Sequence, residues 1–302
     1  MNAPARQYLD QPGIYRSVSE ADYHSDPVVE PSASASVLSL LYSRSPLHAW
    51  YAHPRLNDDY VGSPSTRAQA FGTAVHAMLT LSRNVTCCDF DDWRTKDARQ
   101  EKTEIEEAGG IALLRDDYAT AERMLSTLRR GLVGHEVGDV FNQGIGEATI
   151  VWRDDGAWIR GRADWWSEKR GLIVDYKTTT TAEPDAWSRK LFDLGSDFAG
   201  VLYPQGVAAV TGARPPRFLY VVQEVEPPHA FTVVELDDVA REFTTNRVAQ
   251  AFRAWRECLA ANRWPGYAPS VHHVSPPAYA VKREEGRALA AAAAKELIVD
   301  QA

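Results

Sequence analysis

The sequence predicts a single α/β domain with a mixed central β-sheet flanked by helices. Three observations predict this fold class. Apolar residues have helical spacing before residue 135, a hairpin signal and a buried strand follow over residues 147–178, and helices and strands then alternate to residue 262. No stretch approaches the roughly 18 uncharged apolar residues of a membrane span, so no membrane partner is expected.

The composition divides the 302 residues into three parts. Residues 1–33 are rich in Pro, Ser and acids and predict an extended N-terminal segment with short strands at most. Residues 34–280 predict one domain, with a helical part over 34–135 and an α/β core over 140–262. Residues 281–302 form an Ala-rich tail, a composition that favours a helix.

The helical part contains four predicted helices. Ser34 is a candidate N-cap for a helix that ends near Pro46, and a second short helix is predicted over residues 47–51. Apolar residues recur with helical spacing over 66–81 and again over 111–132. The acidic stretch 89–110 is only weakly periodic and predicts irregular structure.

The core begins with a predicted hairpin, because strands over 147–153 and 157–166 are joined by the turn sequence Asp154-Asp155-Gly156. The apolar run at 172–174 predicts a third, buried strand over 171–178. Further helices are predicted over 184–194, 197–211 (with Asp197 as its cap) and 237–262. Two more strands are predicted between the last two helices, over 218–225 and 230–236.

The net charge of −8, from 33 basic and 41 acidic residues, arises in two segments. Residues 1–30 hold two basic and five acidic groups, and residues 89–117 hold five basic and ten acidic groups. The remainder holds 26 of each sign, so a nucleic-acid partner is not excluded. Three cysteines cannot build a disulfide framework, and the first ten residues lack a secretory pattern, which predicts a cytoplasmic protein.

Two acids and a lysine around the predicted third strand are candidates for chemistry. Asp175 and Lys177 follow the apolar run and lie on one strand face. Burying a charge there costs free energy unless the charge forms an ion pair or has a functional role. Asp164 lies on the preceding strand, and antiparallel pairing can bring its carboxylate beside that of Asp175. Two such carboxylates suit Mg²⁺ or Mn²⁺. A simple ion pair at a strand edge is the alternative.

Glu147 and His76 are further candidates for the same site. Glu147 heads the first strand and could add a third carboxylate, although a solvated acid before a strand has the same sequence pattern. His76 lies one helical turn after Gly72, and we expect the glycine to leave space beside the imidazole. A buried core histidine is the alternative for His76.

Taken in order, these residues resemble the PD-(D/E)XK nuclease superfamily, and its RecB-like branch in particular. The resemblance rests on Gly72-x-x-x-His76, Glu147, Gly161-x-x-Asp164, Asp175-x-Lys177 and a following helix that carries Tyr203. Within that branch, residues 30–280 are similar to the nuclease domains of exodeoxyribonuclease VIII (RecE) and its phage relatives. This closer similarity lies in residues 34–36, 71–77 and 173–179.

The resemblance implies a role for each matching residue. Asp164 and Asp175 match the metal-binding acids, Lys177 matches the catalytic lysine, His76 matches a histidine at the metal site, and Glu147 matches a less regular catalytic acid. The implied cofactor is Mg²⁺, with Mn²⁺ as a substitute. The branch also carries Gln-x-x-x-Tyr on the helix after the catalytic strand, a pattern absent from this sequence. Tyr203 is therefore the matching candidate for DNA contact, with Gln205 nearby. Arg160 and Arg162 lie on the carboxylate strands and are candidates for phosphate contact, although solvated strand ends have the same pattern.

The function that the resemblance implies is a Mg²⁺-dependent exodeoxyribonuclease that degrades linear double-stranded DNA from its ends, 5′ to 3′, in phage-type homologous recombination. The implied partners are DNA ends, a single-strand annealing protein and further copies of the chain in a ring. Two alternatives stay open: a structure- or site-specific endonuclease of the same fold, and a DNA-binding or assembly module without catalysis. Digestion of linear but not of covalently closed duplex would distinguish the exonuclease from the endonuclease. Binding of Mg²⁺ would distinguish the exonuclease from the non-catalytic module.

Overall fold

The computed structural model describes residues 8–62 and 65–299, and its main feature is a six-stranded sheet. The strands are β1 (Gly13–Tyr15), β2 (Val85–Cys88), β3 (Ile111–Leu114), β4 (Ile145–Asp154), β5 (Ala157–Ser167), β6 (Leu172–Thr179), β7 (Arg217–Glu224) and β8 (Phe231–Val234). The large sheet has the order β1-β4-β5-β6-β7-β8, and only β6 and β7 are parallel in it. The predicted mixed central sheet is confirmed.

Helices cover both faces of this sheet. The helices of the described residues are α1 (Glu20–His24), α2 (Ala35–Ser43), α3 (Pro46–Tyr51), α4 (Arg67–Thr80), α5 (Lys96–Glu107), α6 (Arg115–Val133), α7 (Pro184–Asp193), α8 (Asp197–Thr211), α9 (Asp238–Ala261) and, in a separate unit, α10 (Ala278–Val299). One face packs against α2, α8 and α9 around Trp255, and the other packs against α4 and α6 around Met124. The parallel pair β6–β7 requires a crossover, which α7 and α8 supply.

Most predicted elements are confirmed to within a few residues, and their caps explain where they begin. The Ser34 hydroxyl accepts from the backbone N–H of Val37 at the start of α2. The predicted cap at Asp197 is wrong, because Asp197 is the first residue of α8 rather than its N-cap. Its buried carboxylate instead binds Arg247 at 2.7 Å and Thr244 at 2.9 Å.

The prediction for residues 89–110 is wrong, since they contain the regular helix α5, capped by Thr95. The helix buries only Ala98, so its sequence has almost no apolar stripe to reveal it. The predicted helix over 111–132 also needs correction, because its first four residues form β3, parallel to β2. A short apolar run does not by itself distinguish a strand from a buried helical turn.

The N-terminal segment is more ordered than predicted. Its strand β1 joins the edge of the main sheet, and α1 adds a helical turn where short strands at most were expected. The Ser19 side chain caps α1, and Tyr23 in α1 is buried. A five-residue helix is not stable alone, so burial of Tyr23 is what tertiary structure adds to the local sequence signal.

The chain divides into two compact units, residues 1–266 and residues 267–302. The second unit contains α10, which confirms the helix predicted for the Ala-rich tail. Among the described residues, no helix has the length and apolar character needed to cross a membrane.

Candidate active site

A cavity of about 1260 Å³ opens beside α4, at the point where β4, β5 and β6 approach it. All five residues of the predicted metal and catalytic set line this cavity: His76, Glu147, Asp164, Asp175 and Lys177. They come from one helix and three strands and span about a hundred residues of sequence. The structure therefore brings the whole predicted set together.

The two central acids lie where β5 and β6 separate. Regular pairing of these strands covers only three residue pairs, from Ser167–Leu172 to Trp165–Val174. The next position in this register would place Asp164 opposite Asp175. There the Asp164 carboxylate accepts a hydrogen bond from the backbone N–H of Tyr176 at 2.8 Å. In a regular antiparallel pair, a backbone carbonyl of the neighbouring strand would accept that hydrogen bond. Asp164 is thus fixed to the backbone of the strand that carries Asp175.

Lys177 is paired with Asp175 on the same strand face, as the alternation predicts. Its ammonium lies 2.8 Å and 2.7 Å from the two carboxylate oxygens of Asp175. Burial alone would lower the pKa of Lys177, but the charges of Asp175 and Asp164 together raise it. Burial raises the pKa of Asp175 to about 6, with Lys177 acting in the opposite direction and Asp164 adding to the rise. Of the three cavity acids Glu147, Asp164 and Asp175, Asp175 is therefore the one whose negative charge its surroundings stabilise least.

His76 bridges two of the acids. Its Nδ1 lies 2.9 Å from Glu147 Oε1, and its Nε2 lies 3.3 Å from Asp164 Oδ1. Burial alone would lower the pKa of His76, but Asp164 and Glu147 raise it to about 10. The imidazole is therefore a cation at neutral pH. The pKa of Asp164 falls to about 2, because His76 and Lys177 outweigh the burial that would raise it.

Gly72 lets α4 approach β6 closely. A Cβ atom on Gly72 would lie 2.8 Å from the Thr178 hydroxyl oxygen, closer than real Cβ contacts come. The space that the glycine leaves is therefore used by Thr178, and not by the imidazole as the sequence predicted. The Gly-x-x-x-His spacing is explained by this close approach, which brings the next turn of α4, with His76, to the acids.

Glu147 has a left-handed backbone conformation, with φ of 57°. It lies between the pairs Gly146–Trp165 and Ala148–Ala163, so the register sets it opposite Asp164. Burial alone would raise the pKa of Glu147, but His76 and Arg162 lower it. Non-glycine residues in this conformation are strained and cluster at functional sites, which supports a working role for Glu147.

The four predicted DNA contacts have different places in the structure. Arg162 borders the cavity, but its guanidinium donates to Glu147 and, at 3.0 Å, to the Val18 carbonyl. Tyr203 also borders the cavity, although it is only 9% exposed, and its ring occupies the space that a Cβ on Gly161 would need. Gln205 is exposed and does not line the cavity.

Arg160 lies away from the cavity lining, in a buried cluster that the sequence analysis did not find. Its guanidinium lies 3.2 Å from Asp26 and donates to the Ser32 hydroxyl at 2.8 Å. His53 lies 3.3 Å from the same carboxylate. This cluster connects the N-terminal segment to β5.

The N-terminal strap, defined here as residues 16–26, is also a wall of the cavity that the sequence did not predict. Arg16, Val18, Glu20 and Tyr23 all line it. Glu20 makes an ion pair of 2.8 Å with Arg83, which lies after α4. The strap has the serines and acids of a solvated segment, so its sequence holds no signal for this position.

The donor set can be compared with what a divalent cation requires. Within the described residues, no three His, Cys, Asp or Glu side chains already converge in a metal-binding arrangement. His76 lies between Glu147 and Asp164, and Lys177 pairs with Asp175. The chemistry of the donors still fits Mg²⁺, because carboxylate oxygens are its preferred protein ligands and the raised pKa of Asp175 reflects negative charge that a cation would stabilise.

The mixed sheet with an acid pair and a lysine at the separation of two strands defines a domain of the PD-(D/E)XK nuclease-like class. The chain belongs to the family of PDDEXK-like domains of unknown function (DUF3799), whose model matches residues 43–275. The predicted superfamily is thereby confirmed. The N-terminal strap lies outside the matched residues.

Solved structures of other proteins are similar to this chain. A crystal structure of an assumed exonuclease from Eubacterium rectale has 14% identity and a TM-score of 0.55, and the match covers 86% of this chain and 94% of that one. A phage-related exonuclease from Haemophilus somnus has 13% identity, coverage of 77% and 96%, and a TM-score of 0.32. The first similarity supports the fold. No curated protein matches the sequence.

Proposed function

We propose that this protein is a divalent-metal-dependent deoxyribonuclease that degrades linear double-stranded DNA from its ends. The observation that carries the proposal is the meeting of Asp164, Asp175, Lys177 and His76 in one cavity of a PDDEXK-like fold. Two opposed carboxylates beside a lysine form a site suited to hydrolysis of a phosphodiester.

Asp164 and Asp175 are the proposed ligands of Mg²⁺ or Mn²⁺, with His76 and Glu147 beside them. When bound, the cation would lower the pKa of a water molecule and stabilise negative charge on the phosphate. His76 balances the charges of Glu147 and Asp164 while the cation is absent. As a ligand it would have to release its proton, so metal binding and proton release are linked.

Lys177 has the proposed catalytic role. The two carboxylates keep it cationic, and its ammonium is close to Asp175, so it can orient the attacking water and offset charge on the reacting phosphate. Arg162 acts indirectly, since it holds the Glu147 carboxylate from the side opposite His76.

The finer parts of the proposal rest on the resemblance to RecE-type nucleases. It supports 5′-to-3′ digestion, a role in phage-type recombination in the cytoplasm, assembly into a ring, and a single-strand annealing protein as partner. The four cavity residues of the site support the chemistry, and the resemblance alone supports these further properties.

A digestion assay tests the proposal. Linear duplex labelled at one end and covalently closed circular duplex are each incubated with Mg²⁺, with Mn²⁺ or with a chelator. We expect loss of the linear duplex only, and only with metal. Asp164→Asn should abolish this loss, while Asp58→Asn, a change of an exposed loop acid of the same type, should not.

Two results would contradict the proposal. Cleavage of the closed circle would favour the endonuclease alternative. DNA binding without any cleavage, combined with no Mg²⁺ binding in calorimetry, would favour the non-catalytic module.

A further inference from the structure

In the described part of the chain, one cation of the cavity wall has no acidic partner. Among the described residues, four arginine or lysine side chains line the cavity: Arg16, Arg83, Arg162 and Lys177. Arg83 is paired with Glu20, Arg162 with Glu147, and Lys177 with Asp175. Arg16 makes no ion pair with any described residue, so its charge is available to an anion that enters the cavity.

Arg16 also borders a second cavity, which we call the side groove. This groove has a volume of about 470 Å³ and shares Arg16 and Ile145 with the main cavity. Its other lining residues are Gln143, Gly144, Trp166, Glu168 and Lys169. Lys169 is exposed and makes no ion pair with any described residue. Two cations against one acid give the side groove a net positive charge.

The backbone around Arg16 is held from both sides. Immediately before it, Tyr15 pairs with Thr149 in the main sheet. Two residues after it, the Val18 carbonyl accepts from Arg162, the arginine that also binds Glu147. The N-terminal strap therefore places Arg16 at a defined distance along the wall from the catalytic acids, at the junction of the two cavities.

The tyrosine and tryptophan side chains of both cavities are too buried to stack on bases. Tyr23, Tyr176, Tyr203 and Trp166 are each at most 9% exposed. Binding of unpaired bases usually requires exposed aromatic rings, whereas binding of the sugar-phosphate backbone requires cations and polar groups. The lining of these cavities matches the second kind of ligand.

We propose that the side groove binds the sugar-phosphate backbone of the DNA strand adjoining the cleaved phosphate, with Arg16 and Lys169 each contacting a phosphate. The site is independent of base sequence, and it deepens the proposed nuclease function, on which it rests. Arg16 lies outside the residues matched by the family, whereas Lys169 lies inside them.

Binding of duplex DNA in Ca²⁺, measured at several salt concentrations, tests the proposal. Each of Arg16→Gln and Lys169→Gln should weaken binding about three- to tenfold. Each should also reduce the slope of log affinity against log salt by about 0.9, the value for one lost phosphate contact on duplex DNA. The double variant should lose both contributions. Arg214→Gln, at an exposed loop arginine outside both cavities, is the matched control and should behave as wild type.

A second measurement locates the contact on the DNA. Duplexes that carry one neutral methylphosphonate, moved stepwise from the end, should show a position that weakens binding to wild type but not to Arg16→Gln. Equal sensitivity of both proteins at every position, or a salt slope equal to that of the control, would overturn the side groove as a phosphate site.

The two proposals fail separately. Cleavage of linear duplex by wild type is measured with Mg²⁺, and its absence would count against the nuclease. The binding measurements need no cleavage, so they decide on the side groove in either case.

Discussion

Two buried charge clusters share strand β5 and differ in how well their acids are satisfied. The first cluster surrounds a single carboxylate, Asp26, which accepts from the Ser32 backbone at 2.9 Å and the Ser32 hydroxyl at 2.6 Å. Arg160 and His53 also lie within 3.3 Å of it. Burial alone would raise the pKa of Asp26, but His53, Arg160 and Ser32 lower it to about 2.

The second cluster brings three carboxylates to one cavity. Its arginine is Arg162, two residues after Arg160 on β5, and it pairs with Glu147 as Arg160 pairs with Asp26. Here one acid, Asp175, has its pKa raised to about 6. A fully hydrogen-bonded acid is typical of a structural cluster, whereas a buried acid with a raised pKa is typical of a functional one. The difference supports a structural role for the first cluster and the proposed catalytic role for the second.

The largest expected effect comes from Asp175→Asn. It should abolish metal-dependent cleavage, while the melting temperature without metal should hold or rise, because burial and the charge of Asp164 disfavour the Asp175 carboxylate more than its pair with Lys177 favours it. An end-labelled digest and a thermal scan measure the two effects. Near-normal cleavage by this variant would remove Asp175 from the proposed site.

Asp26→Asn should have the opposite pattern. Loss of the negative charge leaves Arg160 buried without its partner, which we expect to cost about 3 kcal/mol of unfolding free energy. For a domain of this size, that corresponds to a decrease in melting temperature of roughly 10 °C. Cleavage well below the melting temperature should persist. An inactive variant with unchanged melting temperature would place Asp26 in the functional cluster instead.

The pH dependence of stability gives an independent test of the same acid. The pKa of Asp26 is lower in the folded state than the usual 3.8, so its contribution to stability is fully present above about pH 4. That contribution is lost as the pH falls toward 2. Denaturant unfolding of wild type and Asp26→Asn should therefore differ most at neutral pH and converge as the pH falls from 4 to 2. A constant difference would contradict the lowered pKa.

Lys177→Ala should reduce turnover by a factor of about 10² or more, because charge on the reacting phosphate loses its nearby cation. DNA affinity in Ca²⁺ should decrease only slightly, since one contact among many is lost. Lys177→Arg should restore little, as the planar guanidinium cannot occupy the position of the ammonium. Lys96→Ala, at an exposed helix position, is the control. Tenfold weaker binding with normal cleavage at saturating DNA would make Lys177 a phosphate contact.

The smallest effect is expected from Gly72→Ala. The added methyl group would contact the Thr178 hydroxyl and shift α4, with His76, away from the acids. We expect cleavage to decrease several-fold without unfolding, because alanine also favours the helix. The double variant with Thr178→Ala should recover part of the activity. No recovery would mean that the close approach of α4 to β6 does not set the position of His76.

The sheet was predictable from the sequence where each strand carries its own signal. The hairpin turn at Asp154–Gly156 and the apolar run at 172–174 identify β4, β5 and β6 directly. Helix α5 was not predictable in the same way, since its only buried residue is Ala98. Strand β1 and helix α1 take their shape from contacts with β4 and with the core, which local sequence does not encode.

Asp175 and Lys177 stand out in the sequence because charges at the end of an apolar strand are costly without a role, whereas Glu147 and His76 are favoured as site residues only through the family resemblance. Their neighbours were not predictable. Arg162 reaches Val18 across 144 residues, and Arg160 reaches Ser32 across 128 residues. Arg160 and Arg162 are two residues apart on β5 and so lie on one face, but only the fold shows that their partners are acids and carbonyls of this chain.

The left-handed backbone at Glu147 is a cost that the ion pairs of its carboxylate offset. Glycine or asparagine adopts this conformation more easily than glutamate, so replacing Glu147 with either one relieves strain of about 1 kcal/mol. The same change leaves His76 and Arg162 without the carboxylate that pairs with both. Selection of random variants for heat resistance should therefore enrich glycine or asparagine at position 147 only together with changes that remove these cations, whereas selection for cleavage should retain glutamate.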